Sequence, residues 1–186
     1  MIGYLSGNIT CVRGDHLILL VSGVGYKVLA PLSLLTSVKE EQKLSLYIHT
    51  HVREDQLSLF GFQDESELFV FEKLISVSGI GPKSALSMLS TNSPSSLAQA
   101  IENGDVVTLS RTPGVGKRTA EKIIIELKGK LSHLASGEEN KELEEVRLAL
   151  EALGYSSKEI HEALKGIESA GRSTGAIIKD ALAQLH

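Results

Sequence analysis

The sequence predicts a multidomain α+β protein, with a five-stranded β-barrel, a helical domain, a flexible linker and a small three-helix domain. Residues 1–63 alternate apolar and polar side chains between glycine-containing bends, which is typical of short strands. Residues 64–131 change to a helical period and contain a duplicated glycine motif. Residues 132–141 have no apolar period, and a helical pattern resumes over 142–186.

The first domain, residues 1–63, reads as β-structure throughout. Tight turns are expected at Arg13-Gly14-Asp15, around Gly23-Val24-Gly25, and at Arg53-Glu54-Asp55-Gln56. Five short strands in about 60 residues, with glycines at the bends, fit a small closed barrel of the OB type. The predicted strands are 2–12, 16–22, 26–30, 44–52 and 57–62.

The second domain, residues 64–131, is predicted to be a compact bundle of four or five helices. Each copy of its glycine motif reads glycine, aliphatic residue, glycine, and then a basic, a hydroxyl and an alanine residue before a helical run. We call these segments the first glycine hairpin, 79–85, and the second glycine hairpin, 114–120. Glycine lets a bare backbone approach another molecule, and a helix start presents unpaired N–H groups, so the pair predicts contacts with successive nucleic-acid phosphates.

The predicted DNA contacts are the glycines, hydroxyls and cations of the two hairpins. A single copy is equally well explained as a tight turn between packed helices, but repetition with matched basic residues favours the binding interpretation. Because such contacts reach the backbone and not the bases, binding should be independent of sequence. The residues are Gly79, Gly81, Lys83, Ser84, Gly114, Gly116, Lys117, Arg118, Thr119 and Lys122.

Two nucleotide-binding motifs that also contain glycines are excluded by the residues present. A dinucleotide fingerprint needs a third glycine three residues after the second, where this chain has Ser84 and Thr119. A Walker A loop ending at Lys117 needs glycine at 111 and Ser or Thr at 118, and both positions are arginine.

The charge distribution agrees with a nucleic-acid partner for the second domain alone. The net charge is −4, and the numbers of basic and acidic residues are 5 and 5 in residues 1–63, 8 and 8 in 64–131, and 6 and 10 in 132–186. Within 111–130, six basic residues stand against Glu121 and Glu126. A local basic surface is therefore expected on an acidic protein.

The last domain, residues 142–186, is predicted to dock another protein. Its first helix ends at Gly154, and Ser156 with Glu159 forms a capping box that starts a second helix. A third runs from about 174 to 185. A small domain on a flexible tether, 132–141, commonly serves as a docking module, although a stabilising appendage is the alternative. Its candidate docking residues are Leu148, Tyr155 and Ile167.

Other chemistry is weakly represented. The single cysteine, Cys11, forms no internal disulfide, and neither a signal peptide nor an 18-residue apolar run is present, which predicts a cytoplasmic protein without membrane contact. His49 and His51 share a strand face but lack a third ligand, so no metal site is predicted. No catalytic centre and no cofactor are expected.

In combination, these motifs resemble the RuvA family, the Holliday junction branch migration subunits of bacteria. The resemblance covers the full length of the chain. It implies an OB barrel, a tandem helix-hairpin-helix domain and a mobile three-helix domain that engages a RuvB-like hexameric ATPase, acting as a homotetramer on four-way DNA junctions. A RuvC-like resolvase is a further implied partner. The matching segments are Met1-Ile2-Gly3, Gly23-Val24-Gly25-Tyr26, Arg53-Glu54-Asp55, Leu59-Phe60-Gly61-Phe62, both glycine hairpins, and Ala152-Leu153-Gly154-Tyr155.

The resemblance also gives a role to the turn of the last barrel hairpin. It implies that Glu54 and Asp55, which we call the acidic pin, lie beside the junction centre. Carboxylates there repel phosphates and discourage binding to ordinary duplex. From residue types alone, such a pair is a solvated turn. The family has basic residues where this chain has Tyr4 and Ser6, which leaves open whether that strand contacts DNA. One tetramer or two face-to-face tetramers would both be consistent with the sequence.

Two other functions are alternatives for a chain with glycine hairpins of this kind. A DNA glycosylase of the helix-hairpin-helix type needs a catalytic Asp about twenty residues beyond the hairpin, but none lies between Asp105 and Asp180. Asp105 follows the first hairpin only. A repair scaffold that binds generic duplex would differ by lacking the tetramer and the acidic pin.

Overall fold

The computed structural model of the chain describes residues 1–135, 141–164 and 174–185. The chain divides into two compact units, Met1–Ala135 and Ser136–His186. The first contains the barrel and the glycine hairpins, and the second contains the last three helices.

Five strands form a closed barrel with the order β1-β2-β3-β5-β4. Neighbouring strands are antiparallel except β3 and β5, whose parallel pairing closes the barrel. The predicted OB-type barrel is confirmed, with strand ends within three residues of the predicted ones. The strands are β1 Tyr4–Val12, β2 His16–Val21, β3 Val24–Leu29, β4 Lys43–Val52 and β5 Leu57–Phe62.

Alternate residues of each strand point into the barrel and fill it with aliphatic side chains. Ile9, Leu17 and Leu46 are completely buried. Gly7 lies where β1 passes closest to β2, and a Cβ there would clash with the carbonyl oxygen of Leu20. This glycine therefore allows the strands to approach each other within a small barrel.

A short helix, α1 Leu32–Ser37, joins β3 to β4 and was not predicted. Leu34 and Leu35 are buried and join the barrel core. With only six residues the helix has less than two turns, so no apolar period develops that could be read from the sequence.

The helical domain packs directly on the barrel, and the two share a core. Phe60 and Phe62 of β5 lie in the same buried cluster as Phe71, with the ring centroids of Phe62 and Phe71 4.8 Å apart. Strand β5 therefore presents aromatic side chains to the helices on its outer face. The helices are α2 Glu65–Ser76, α3 Pro82–Thr91, α4 Pro94–Glu102, α5 Val106–Ser110 and α6 Lys117–Leu127.

The first four residues of the predicted linker, 132–141, are helical in the structure. A further short helix, α7 Ser132–Ala135, belongs to the first unit, and the Gln99 side-chain amide donates to the Ala135 carbonyl over 2.9 Å. Leu134 packs against the core of the helical domain. The residues that contact α7 lie far away in the sequence, so the polar composition of 132–135 does not indicate that this helix packs on the domain. Helix α8 already begins at Lys141, and residues 136–140 lie outside the described part.

The described residues of the second unit include α8 Lys141–Ala152, α9 Ser157–Leu164 and α10 Thr174–Gln184. Its core is formed by six buried aliphatic residues contributed by the three helices, and Tyr155 packs against them. The residues are Val146, Leu150, Ile160, Ala163, Ile177 and Ala181.

Both predicted boundaries within this unit are confirmed. Gly154 has a φ of 95°, and the Tyr155 N–H donates to the Leu150 carbonyl over 3.2 Å, which ends α8 in a glycine C-cap. The Ser156 N–H donates to Glu159 Oε2 over 2.8 Å, and the Glu159 N–H donates to Ser156 Oγ over 3.4 Å. This reciprocal pair is a capping box that starts α9.

Candidate nucleic-acid interface

The two glycine hairpins have the same backbone geometry. Gly79 and Gly114 have φ angles of 95° and 85°, in the left-handed region where glycine is favoured. The Ile80 N–H donates to the Val77 carbonyl over 3.0 Å, and the Val115 N–H donates to the Thr112 carbonyl over the same distance. The sequence repeat is therefore also a structural repeat.

The aliphatic residue of each hairpin anchors it to the core. Ile80 is 6% exposed and Val115 is 3% exposed, and both belong to the buried cluster of the helical domain. The residues on either side of this anchor are less buried. Each hairpin is thus a fixed support that presents its glycines outward.

The second glycine of each hairpin is not required by the fold. Gly81 has φ and ψ of −93° and 166°, and Gly116 has −81° and 170°, which is extended backbone that any residue adopts. A Cβ built on either glycine would have no protein atom within 4 Å. The absence of a side chain therefore keeps open a space that the described residues do not fill.

These glycines are also the N-caps of α3 and α6, and neither helix start has a side-chain cap. Helices α2, α4 and α5 are instead capped by Asp64, Ser93 and Asp105, whose side chains accept backbone N–H groups. The first turns of α3 and α6 thus keep N–H donors that no side-chain cap accepts, and the helix dipole adds positive potential there.

The structure brings the two hairpins together. A Cβ built on Gly114 would lie 3.5 Å from Ser84 Oγ, so the second hairpin lies beside the first turn of α3. The two hairpins therefore lie on the same side of the helical domain.

The predicted cations are exposed around these helix starts. Lys83, Lys117, Arg118 and Lys122 are all exposed. The ion pairs found among the described residues do not include any of the four. Their charge is therefore not neutralised by a carboxylate within the described chain, and it adds to the positive potential of the helix N-termini.

The acidic pin lies at the tip of the hairpin formed by β4 and β5. The Arg53 N–H donates to the Gln56 carbonyl over 2.8 Å and closes the turn, in which Glu54 and Asp55 are both exposed. Their carboxylates point to solvent and form no ion pair among the described residues. The turn therefore carries two negative charges beside the single positive charge of Arg53.

A histidine supports the base of this turn, which the sequence did not suggest. Arg53 Nε donates to His51 Nε2 over 3.1 Å, so that nitrogen must be unprotonated. Burial of the ring, followed by the charges of Arg53 and His49, lowers the pKa of His51. The neutral ring can thus accept from Arg53 and orient it beside the acidic pin.

His49 has a different role and connects the barrel with the helical domain. Its Nδ1 lies 3.0 Å from Glu72 Oε1 of α2, and its ring packs against Phe71 with the centroids 5.4 Å apart. Within the described residues there is no cluster of three side chains suited to a metal ion.

Asp105, the candidate glycosylase residue, caps α5. Its carboxylate accepts the Thr108 N–H over 3.0 Å and the Thr108 hydroxyl over 2.6 Å. The hydrogen bond from the Thr108 side chain is the main cause that lowers the pKa of Asp105. A carboxylate with a lowered pKa that already accepts two hydrogen bonds is a weak base.

The candidate docking residues of the second unit differ in position. Leu148 is 58% exposed on α8, whereas Tyr155 is half-buried and packs against the core. Ile167 lies outside the described residues. Leu153, which the sequence did not single out, is 62% exposed on the turn after α8. None of the helices that the structure describes is long and apolar enough to cross a membrane.

The barrel and the paired hairpins define a helix-hairpin-helix protein of the nucleic-acid-binding class. Three family models match the chain: the RuvA N terminal domain over residues 1–61, the SAM-like helix-hairpin-helix tandem over 71–130, and the RuvA C-terminal domain over 141–186.

Full-length relatives agree with these models. The chain is 42% identical to the Holliday junction branch migration complex subunit RuvA of Trichlorobacter lovleyi, over 98% of both chains. It is 41% identical to the protein of that name from Pelobacter propionicus, over 100% of this chain and 99% of that one. For the protein from Listeria monocytogenes the identity is 39%, over 98% of both chains. The chain belongs to the RuvA family.

Proposed function

We propose that this protein binds four-way (Holliday) DNA junctions as a tetramer, without sequence preference, and holds them open for a RuvB-like ATPase motor that drives branch migration in recombination and repair. Its relatives are named as subunits of a Holliday junction branch migration complex. The observation that carries the proposal is the open space at Gly81 and Gly116, where the fold itself has no need for glycine.

Each protomer would hold DNA through its two hairpins. Backbone N–H groups at the starts of α3 and α6 would donate to phosphate oxygens that approach closely because no Cβ stands in the way. The side chains of Ser84 and Thr119 would add hydroxyl donors, and those of Lys83, Lys117, Arg118 and Lys122 would add charge. All of these contacts are to the backbone, so selection must come from the shape of the junction.

The acidic pin would supply part of that selection. Glu54 and Asp55 repel phosphates, which disfavours a continuous duplex that would place a backbone across the tip. At the centre of a junction the strands diverge, and the tip can occupy the space between them. A ring of four protomers would present one hairpin pair to each arm and bring four tips together at the crossover.

The remaining steps would belong to partners. The glycine hairpins and the barrel hold DNA and contain no group that we assign to catalysis, so we infer a non-catalytic subunit whose ATP dependence comes from the motor. We assign motor docking to the second unit, with Leu148 exposed for contact, Tyr155 largely structural, and Ile167 retained from the sequence prediction. A RuvC-like resolvase would act on the same junction, in the cytoplasm.

The test is a gel-shift competition between a four-way junction and linear duplex of the same sequence, with the mass measured by light scattering. We expect a strong preference for the junction and a tetrameric mass. Glu54→Gln with Asp55→Asn should bind duplex more tightly and lose selectivity. Glu40→Gln with Glu41→Gln, an exposed acidic pair elsewhere in the barrel domain, is the matched control. Equal binding of both DNAs by a monomer would instead indicate a generic duplex-binding scaffold.

A further inference from the structure

The hairpin of β4 and β5 carries an exposed apolar pair directly below the acidic pin. Val52 and Leu57 are opposite each other in the strand register, and they are 67% and 62% exposed. Because the two side chains are neighbours across the strand pair, they form one exposed apolar patch at the end of the hairpin.

Their exposure follows from the way the hairpin extends beyond the barrel. Along β4, Leu46 and Ile48 face the barrel core and are buried, and Val52 continues the same face four residues after Ile48. Along β5, Leu59 is buried and Leu57 is the preceding residue on that face. The core-facing side of the ribbon thus continues past the end of the core, where it meets solvent.

The opposite face of this ribbon is polar and supported. His51 pairs with Ser58 in the register, and its ring contacts Phe60 with the centroids 6.3 Å apart. Arg53 is held by His51 on that side. This end of the hairpin therefore has a supported polar face, an apolar face that no described residue covers, and an acidic tip.

The charges beside the apolar pair restrict what can cover it. A phosphate backbone is repelled by Glu54 and Asp55, which follow Arg53 in the turn and outnumber its single positive charge. The same ribbon of a second copy carries the same two charges and is repelled as well. The face of a nucleobase is flat, uncharged and apolar, and at a strand crossover it can be exposed while its phosphate points away.

We propose that Val52 and Leu57 cover the faces of bases that lose a stacking neighbour at the centre of a four-way junction, an inference that rests on the proposed function. Apolar side chains of this size act as wedges between base steps in other DNA-binding proteins. The carboxylates at the tip keep the backbones away, and the pair behind them compensates in part for the lost stacking.

The test uses the full-length protein and a four-way junction with 2-aminopurine at the crossover, because the fluorescence of this base rises when it unstacks. The variant is Val52→Ser with Leu57→Ser. The matched control is Leu20→Ser with Val24→Ser, which removes one exposed leucine and one exposed valine from the hairpin of β2 and β3. Thermal melting checks that both variants remain folded.

We expect the unsubstituted protein and the control to raise the fluorescence on binding. The Val52→Ser, Leu57→Ser variant should lose most of this rise, while its junction affinity falls by less than about tenfold because the phosphate contacts lie elsewhere. A full fluorescence rise with this variant would overturn the proposal. A reduced tetramer mass with unchanged fluorescence would place the pair between copies and also overturn it. Absence of junction preference in the unsubstituted protein would overturn the proposed function itself.

Discussion

Replacing Gly81 and Gly116 together by serine tests whether these glycines are required for the stability of the fold or for the binding of a nucleic-acid backbone. Both glycines have extended φ and ψ angles that serine adopts without strain, and a Cβ at either position meets no protein atom within 4 Å. Each is an N-cap, and serine is a better N-cap residue than glycine by a few tenths of a kcal/mol. The thermal midpoint should therefore stay the same or rise slightly.

The effect on DNA binding should have the opposite sign. The new hydroxyls would accept the N–H groups of Ser84 and Thr119, the N3 residues of α3 and α6, and would occupy the space through which a phosphate approaches. A hydrogen bond to a charged group contributes about 1.5–3 kcal/mol. Loss of one such bond at each of the two hairpins removes about 3–6 kcal/mol, which corresponds to about 10²- to 10⁴-fold weaker binding by each protomer.

The assay pairs thermal unfolding with titration of a fluorescent four-way junction by the variant. Gly14→Ser is the control, because a Cβ on Gly14 also meets nothing within 4 Å and it lies in the turn between β1 and β2. A variant that melts like the unsubstituted protein and binds the junction equally well would refute the reasoning, since the open space would then have no function in binding.

Three further outcomes are expected. Lys117→Gln with Arg118→Gln should lower the slope of log K against log salt by at least about 1.8, because each lost phosphate-neutralising cation contributes about 0.9; an unchanged slope would remove these residues from the interface. The pKa of His51 is lower in the folded protein than in the unfolded chain, so the unfolded chain binds a proton more readily. The free energy of unfolding should therefore fall as the pH drops below the pKa of His51 in the unfolded chain, and the thermal midpoint of His51→Gln should depend less on pH between 5 and 7. Gly79→Ala should cost about 1–2 kcal/mol in urea unfolding, because its φ of 95° strains any side chain although the space is open.

Features encoded by neighbouring residues could be predicted from the sequence. The strands follow from alternation, and the capping box of Ser156 and Glu159 follows from their spacing alone. The glycine hairpins were recognisable because the motif occurs twice with matched cations. In each case the residues that determine the structure lie within a few positions of one another.

Features that depend on distant partners could not be predicted. Helix α7 is held by Gln99 and the core of the helical domain, far from its own sequence. The contact of Arg53 with His51 and the exposure of Val52 and Leu57 depend on where the barrel core ends along β4 and β5. Alternation gives the face on which a residue lies, but it does not give the point at which that face leaves the core.

Mapping the contacted phosphates of a four-way junction by ethylation interference tests the central claim most directly. If paired hairpins of a four-fold assembly hold the backbone, ethylation should block binding at the same two groups of phosphates on each of the four arms, whatever the sequence of the arm. Interference on a single arm, or a pattern that follows the base sequence, would contradict the assignment of the glycine hairpins as shape-selective backbone contacts.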